Sequence, residues 1–560
     1  MVNGLPLTAA SVPDGMASAS LIGVNPIYGL YAGFIGPIIG GLTTSTTIMV
    51  IATTSAASLA AASAVGGLDP DLVWPSLAML TLVAGVLMVL AGSFGLGRYV
   101  SFVSQSVMTG FLTGVATSIV FGQVADLTGA PASGPTSVHK VLDVALHPSR
   151  IHTPTLVVGL ASIAVLVGVR RIPRLSNYGA LLALVLLSVV VATVPWFSEV
   201  GIVSDVGAIS PGVPPLVLPQ LGMASIDVLV GAFAVAVIVL IQGAGVAQSF
   251  PNPDGSRSNV NTDFAAQGWA NVGAGLFGAL PIGGSIGSTA SSASMGSRTR
   301  WVSIFSGLWM LAVLVALSGL AERAALPTLA AILIVAGVGS ISPDSISTVW
   351  RAGAASRTAL LATFLGALLL PVAAAVGVGV ALSLILHVGL EARDIRLVEM
   401  YRDDSGAVAE RPTPEVLTTN QVVVLNVHGS LFYAGARQIE VDLPAIGDST
   451  GATVVLRLRG RVRLGATAVT ILTRYSADLS AAGGRLVLAG VDPQLVHHLR
   501  TTRQLLDSGI QINPATPVLG ESTLAALAGE NYILLSDSTE HPEAPEPLMR
   551  RTILRLRPPR

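Results

Sequence analysis

The stretch from Gly275 to Thr299, GLFGALPIGGSIGSTASSASMGSRT, constrains the fold more than any other. It lies within a long apolar region, yet it offers glycines, a proline and small hydroxyl residues where a membrane helix would carry leucines. Hydrocarbon cannot hydrogen-bond a free N–H or C=O, so irregular backbone at membrane depth persists only when packed in protein or lining a cavity. Pro281 to Ser285 therefore reads as an extended break, and Ile286 onward as a short helix whose N-terminus points into the membrane interior. Such a start presents unpaired N–H donors and about half a positive charge, a setting suited to an anion. A counterpart lies in the first half of the chain, where Gly40-Gly41-Leu42-Thr43-Thr44-Ser45-Thr46-Thr47 leads into Ile48 to Ala62. Paired interruptions, one in each half of a hydrophobic chain, point to a transporter built from inverted repeats with its solute between two half-helix ends. The plainer alternative is that small residues in both stretches only let helices pack closely.

The surrounding chain supports a membrane reading. Of 560 residues, 52% are hydrophobic and only 11% charged, which excludes an ordinary soluble protein. Apolar segments long enough to span, or to half-span where broken, recur fourteen times between about residues 5 and 392, the third near 46–64 and the tenth near 285–297. The N-terminus, without a basic stretch or a cleavage site, reads as the first span and not as a signal peptide. With that end inside, Arg98, Arg170, Arg171, Arg174, Arg257, Arg298, Arg300, Arg351, Arg357, Arg393 and Arg396 fall in cytoplasmic loops, while Lys140, Arg150 and Arg323 fall outside. This asymmetry obeys the positive-inside rule and favours an even number of spans. The absence of cysteine excludes disulfides, thiolate metal sites and cysteine nucleophiles. No phosphate-binding loop, catalytic carboxylate pair or metal-spaced cluster stands out, so neither an enzyme, nor a cofactor, nor a metal, nor a nucleic-acid partner is expected.

After Glu391 the texture changes. Residues 393–419 read as a charged linker ending in prolines, and a soluble α/β pattern follows over 420–535. Strands are expected at Gln421–Val427, Thr453–Arg459 and Arg485–Val491, and helices at Ala434–Ile446, Thr467–Ala482 and Pro493–Leu506. Alternation of this length implies a small sheet covered by helices. Arg457, Arg459, Arg461 and Arg463 would share one face if the second strand ran on through Gly460. Residues 536–560, rich in proline and charge, read as a disordered tail.

Several motifs together resemble the SulP family of sulfate permeases and anion transporters. Pro13-Asp14-Gly15-Met16-Ala17, followed by Asn25-Pro26-Ile27-Tyr28-Gly29-Leu30-Tyr31, is similar to the family's first-span signature. Asp263-Phe-Ala-Ala-Gln267-Gly268-Trp-Ala-Asn271 resembles the helix before the second break, Gly296-Ser-Arg298-Thr299 its exit, and Leu326-Pro327 the start of a later signature. The soluble tail looks like a STAS domain. The resemblance implies fourteen spans in a 7+7 inverted repeat, divided into core and gate domains over residues 1–392, with a cytoplasmic STAS domain behind them. It also implies a homodimer in the plasma membrane and an elevator-like motion that carries a small anion between the third and tenth spans.

Departures from the family pattern bear on chemistry. Where cation-coupled members place a carboxylate in the eighth span, this chain has Gln242, which cannot titrate. The family's first-span glutamine is Asp14 here, so Asp14 is the expected coupling site for H+ or Na+, with a helix N-cap as its alternative role. Ser288 stands where some relatives carry an arginine. The expected solute-binding residues are Ser45, Thr46 and Thr47 at the first break and Gly284, Ser285, Gly287 and Ser288 at the second, with Gln242 and Asp14 lining the cavity. The expected function is secondary transport of a small oxyanion of the sulfate or bicarbonate class. The alternatives are a nucleobase-like solute on the same fold, or a sensor that binds the anion and signals through the STAS domain.

Overall fold

The computed structural model describes residues 4–529 apart from 103, 135, 173, 174, 176, 177, 208–211, 219, 394, 395, 430–432, 462 and 502–508. The chain divides into two compact units, Met1–Leu386 and His387–Arg560. The expected disordered tail at 536–560 lies outside the described residues.

The first unit opens with α1 (Gly4–Ile22) and α2 (Ile27–Thr43), then a short strand β1 (Ile51–Thr53) and α3 (Ser55–Val65). α4 (Pro70–Ser93), α5 (Gln105–Gly122), α6 (Val124–Thr128), α7 (Ser137–Leu146), α8 (Thr153–Arg170), α9 (Gly179–Thr193), α10 (Val203–Val206) and α11 (Ile226–Ser249) follow. The second half runs through α12 (Val260–Leu276), strand β2 (Ile282–Gly284), α13 (Ile286–Ser294), α14 (Trp301–Ala316), α15 (Ser318–Ala321), α16 (Leu326–Ser340), α17 (Pro343–Arg351), α18 (Ala354–Leu369) and α19 (Val372–Arg393). Each apolar stretch expected to cross or half-cross the membrane is helical, except that the third is a helix only from Ser55. Among the described residues, five helical stretches are individually long and apolar enough to cross a bilayer. Leucine and valine stripes such as Val185, Leu186 and Val189 of α9, or Leu361, Leu365 and Leu369 of α18, are exposed. Apolar faces of that kind are stable against lipid and not against water.

The helix ends follow local chemistry. Thr54, Ser104, Ser225, Asn259 and Ser285 each accept a backbone N–H from the first turn of the helix they precede. α1 holds Pro13 inside it, so one turn lacks its backbone bond, and Asp14 sits mid-helix instead of serving as an N-cap. Small residues let backbones meet. A Cβ added at Gly29 would lie 1.9 Å from the Gly15 oxygen, and one at Gly268 would lie 2.5 Å from the Val89 nitrogen, so α1 with α2 and α4 with α12 approach at glycine.

The second unit is a six-stranded sheet in the order β4-β3-β5-β6-β7-β8, formed by β3 (Arg396–Arg402), β4 (Val408–Pro412), β5 (Val422–His428), β6 (Thr453–Arg457), β7 (Arg485–Val491) and β8 (Gln511–Pro514). β5 to β8 are parallel, as strands joined through helices must be, and β3 runs antiparallel to both β4 and β5. Helices α20 (Tyr433–Asp442), α21 (Ala466–Ala481), α22 (Pro493–Thr501) and α23 (Glu521–Ala528) complete it. Val423, Leu425 and Val427 of β5 alternate into the core, while Val454, Val455 and Leu456 of β6 are buried on both faces.

Two sequence expectations are corrected here. The charged stretch at 393–419 carries a β-hairpin: Glu399, buried opposite Arg411, accepts two guanidinium bonds at 2.6 and 2.8 Å, so its charge is paired inside the sheet. The turn of that hairpin is closed by Asp403, which accepts from Ser405 and Ala407, and the Ser405 hydroxyl in particular holds its carboxyl below the usual carboxylate range. The four-arginine face does not form, because β6 ends at Arg457 and Gly460 turns the chain at φ +78°. Arg461 folds back instead, donating to the Val427 carbonyl at 2.8 Å.

Candidate functional site

The two breaks meet. β1 and β2 pair antiparallel, with Ile51 opposite Gly284, Ala52 opposite Gly283 and Thr53 opposite Ile282. The chain leaves each strand into a helix start, α3 after Thr54 and α13 after Ser285. Ser285 N–H donates to the Val50 carbonyl (3.0 Å), and the Thr289 hydroxyl accepts Val50 N–H (3.1 Å), so the second helix start is bonded to the first strand. Thr54 Oγ1 accepts Ala57 N–H and Ser285 Oγ accepts Ser288 N–H. In the first turn of each helix this leaves Ser55, Ala56, Ile286 and Gly287 N–H groups without an intrahelical acceptor. Ile286 and Gly287 are exposed, and a Cβ built on Gly287 meets nothing within 4 Å, so the start of α13 opens onto free space.

Gln242 of α11 joins this pair to a cavity. Its Oε1 accepts the Thr54 hydroxyl at 3.2 Å, and among the described residues it is the one polar residue bordering a small apolar pocket between α5, α11 and α19. Met108, Phe111, Ile241 and Val376 form much of the apolar remainder. Among the described residues no basic side chain borders it, and its exposed lining is apolar.

Each residue expected at the site has a definite place. Ser285, Gly287 and Ser288 stand at the start of α13, and the Ser285 hydroxyl lies 3.1 Å from Ser288 Oγ. Gly284 is buried in β2 with its N–H held by Gln267 Oε1 at 2.9 Å, so that amide is occupied. Ser45, Thr46 and Thr47 are a correction: α3 begins eight residues beyond Thr47, and these hydroxyls bind protein. Asp263 Oδ1 accepts the Thr44 hydroxyl (2.7 Å), Ser45 N–H (2.7 Å), the Ser45 hydroxyl (2.9 Å) and Thr46 N–H (3.1 Å), while Oδ2 takes the Thr46 hydroxyl (2.5 Å). Thr47 donates its N–H and hydroxyl to Asn252 Oδ1 at 2.8 and 3.1 Å. A hydroxyl-rich run looks like a helix start because such residues cap helices. Here the buried carboxylate claims the run first, and a strand intervenes before the helix begins. Asp14, midway along α1, has no hydrogen-bond or ion-pair partner among the described residues.

Sequence reasoning missed five residues that shape the site: Thr54, Asn252, Asp263, Gln267 and Asn271. Thr54 was visible in principle, as a threonine ahead of the alanine-rich run 56–64. Asp263, Gln267 and Asn271 carry a sharper signal, three polar residues at spacings of four inside an apolar helix, which places them on one face.

The sulfate permease family profile matches residues 1–363, and the STAS domain profile matches residues 413–509. Low affinity sulfate transporter 3 of Stylosanthes hamata is 27% identical over 539 residues, covering 89% of this chain and 82% of its own. Among solved structures, the murine Solute Carrier 26 family member A9 anion transporter in its inward-facing state is similar with a TM-score of 0.81 at 18% identity, over 94% of this chain and 91% of that one. The transmembrane domain of the cyanobacterial bicarbonate transporter BicA is similar with a TM-score of 0.58 at 20% identity, over 69% of this chain and 96% of that one. At these identities the two structures speak to the fold alone.

Proposed function

Because this chain belongs to the sulfate permease family, we propose that it is a secondary transporter of a small inorganic oxyanion, of the sulfate or bicarbonate class, acting in the plasma membrane by an elevator-type displacement. The chain is a multi-pass membrane protein of an anion-transporter family, and its soluble unit is a STAS domain. The observation that carries the reading is the pairing of β1 with β2, which sets the starts of α3 and α13 side by side, with Thr54 bonded to Gln242 at the rim of the cavity. Two helix starts contribute together about one positive charge, so an anion between them is met by the N–H groups of Ser55, Ala56, Ile286 and Gly287 and by the Ser288 hydroxyl. The elements that carry those starts then move past α5 and α19, exposing the solute to the opposite side. A relative named as a low affinity sulfate transporter supports this solute class.

Coupling is assigned to Asp14. A carboxyl inside an apolar helix, without a protein partner among the described residues, is suited to exchange H+ or bind Na+. The STAS unit is placed in the cytoplasm, and the transporter as a homodimer. A second reading, a neutral solute such as a nucleobase, is favoured by one observation: the pocket beside Gln242 is lined by apolar surface and, among the described residues, by no basic side chain. Uptake of labelled sulfate, bicarbonate and uracil into proteoliposomes, with and without a pH or sodium gradient, separates the readings. Saturable oxyanion uptake that responds to a gradient in the parent and not in Asp14→Asn supports the proposal. Uracil uptake alone supports the neutral-solute reading, and binding without flux contradicts transport.

A further inference from the structure

We infer that α12 sets the geometry of both broken segments, with Asp263, Gln267 and Asn271 acting as positioning residues for solute binding. The inference rests on the transport reading above. The three side chains recur at every fourth position, and each is almost wholly buried, at 1%, 0% and 0% exposure. They occupy one face of the helix over roughly 12 Å, since each residue rises about 1.5 Å. Their bonds are divided between the two breaks. Asp263 takes the donors of residues 44–46 ahead of β1. Gln267 takes Gly284 N–H at the end of β2 (2.9 Å). Asn271 takes Ile282 N–H (2.9 Å) and gives its own N–H to the Ile282 carbonyl (2.7 Å), so its side-chain amide binds β2 as a neighbouring strand would. The stripe is also tied lengthwise: Gln267 donates to the Asp263 carbonyl at 3.1 Å and Asn271 to the Gln267 carbonyl at 2.8 Å.

Why this arrangement controls binding follows from the shortness of the strands. β1 and β2 pair over only three residues each, so their own ladder specifies register weakly. A slip of one residue would displace the two helix starts relative to one another by about 3.3 Å, more than a hydrogen bond can span. The bonds from Asn271 to Ile282, opposite Thr53, and from Gln267 to Gly284, opposite Ile51, forbid that slip on the β2 side. Asp263 fixes the lead into β1 from the same helix. Polar side chains buried in a membrane helix are costly unless fully bonded, and these three are bonded chiefly to the segments that form the site.

The test is anion uptake kinetics, with sulfate and bicarbonate as probes, for the full-length chain in proteoliposomes. Asp263→Ala, Gln267→Ala and Asn271→Ala are expected to raise KM tenfold or more while Vmax falls less than threefold. Asp263→Asn keeps an acceptor oxygen for residues 44–46, and the Thr46 hydroxyl can turn to accept from its amide, so its KM is expected within threefold of the parent. Should the alanine variants fail to fold, Thr44→Val and Thr46→Val, which each remove one donor to Asp263, carry the same comparison with an expected two- to fivefold rise in KM. Uptake by the parent with KM unchanged across the folded variants overturns the inference and leaves transport standing. No uptake by the parent overturns the transport reading, and this inference with it.

Discussion

In the first broken segment a hydroxyl-rich turn, Thr44 to Thr47, precedes the strand and is gripped from outside by Asp263 and Asn252, while the helix start is capped by Thr54, whose hydroxyl also reaches Gln242. In the second, Pro281 leads directly into the strand, the grip falls on the strand backbone itself through Gln267 and Asn271, and the capping Ser285 bonds within its own first turn. One helix start is thus tied to the cavity wall and the other opens onto space at Gly287. The difference shows how an inverted pair can be pseudo-symmetric in backbone and asymmetric in anchorage. Both halves are referenced to α12, which lies in the second half of the chain.

The largest effect expected from breaking this comparison is on the strand side. Asn271→Ala leaves the buried N–H and C=O of Ile282 unsatisfied, at about 1–3 kcal/mol each, so detergent-solubilised protein should unfold at clearly lower temperature than the parent. Next comes Gln242→Glu, which places a titratable carboxyl beside Thr54. At pH 8 its charge opposes an incoming anion and should raise KM at least tenfold, about 1.4 kcal/mol. As pH falls and the carboxyl takes up a proton, the ratio of the variant's KM to the parent's at the same pH should fall toward one. Thr54→Val and Ser285→Ala each remove a cap, at about 0.5–2 kcal/mol of local helix stability. Because only Thr54 also holds Gln242, its variant should raise KM several-fold more than Ser285→Ala, and equal effects would show that the anchorage is functionally symmetric. Smallest is Gly287→Ala: with nothing within 4 Å of the added carbon, thermal stability should stay within about 0.5 kcal/mol of the parent.

Much of this organisation was legible in the sequence. Hydropathy placed the membrane helices, and Pro281-Ile-Gly-Gly-Ser285 announced the second break, because a proline and paired glycines weaken a helix while a serine following them can start one. The helix after the first break begins seven residues later than the expected Ile48, for a physical reason. Thr43 to Thr47 has the composition of a cap, but capping competes with long-range bonding, and a carboxylate 219 residues away from Thr44 in sequence won. The strand β1, Ile51–Thr53, could not be foreseen because its partner is equally remote. The hairpin before the STAS core was hidden by charge: Glu399 and Arg411 look solvated in sequence and neutralise one another across the sheet.

The chain contains no cysteine, so Ser55→Cys and Gly287→Cys each introduce a single thiol at one of the two helix starts. The most direct measurement is the rate at which a small maleimide alkylates each variant in proteoliposomes as the transported anion is titrated in. An anion held between the starts of α3 and α13 slows alkylation at both positions, with half-protection at the concentration that half-saturates uptake. Unchanged alkylation at both positions, in protein that still transports the anion, would contradict it.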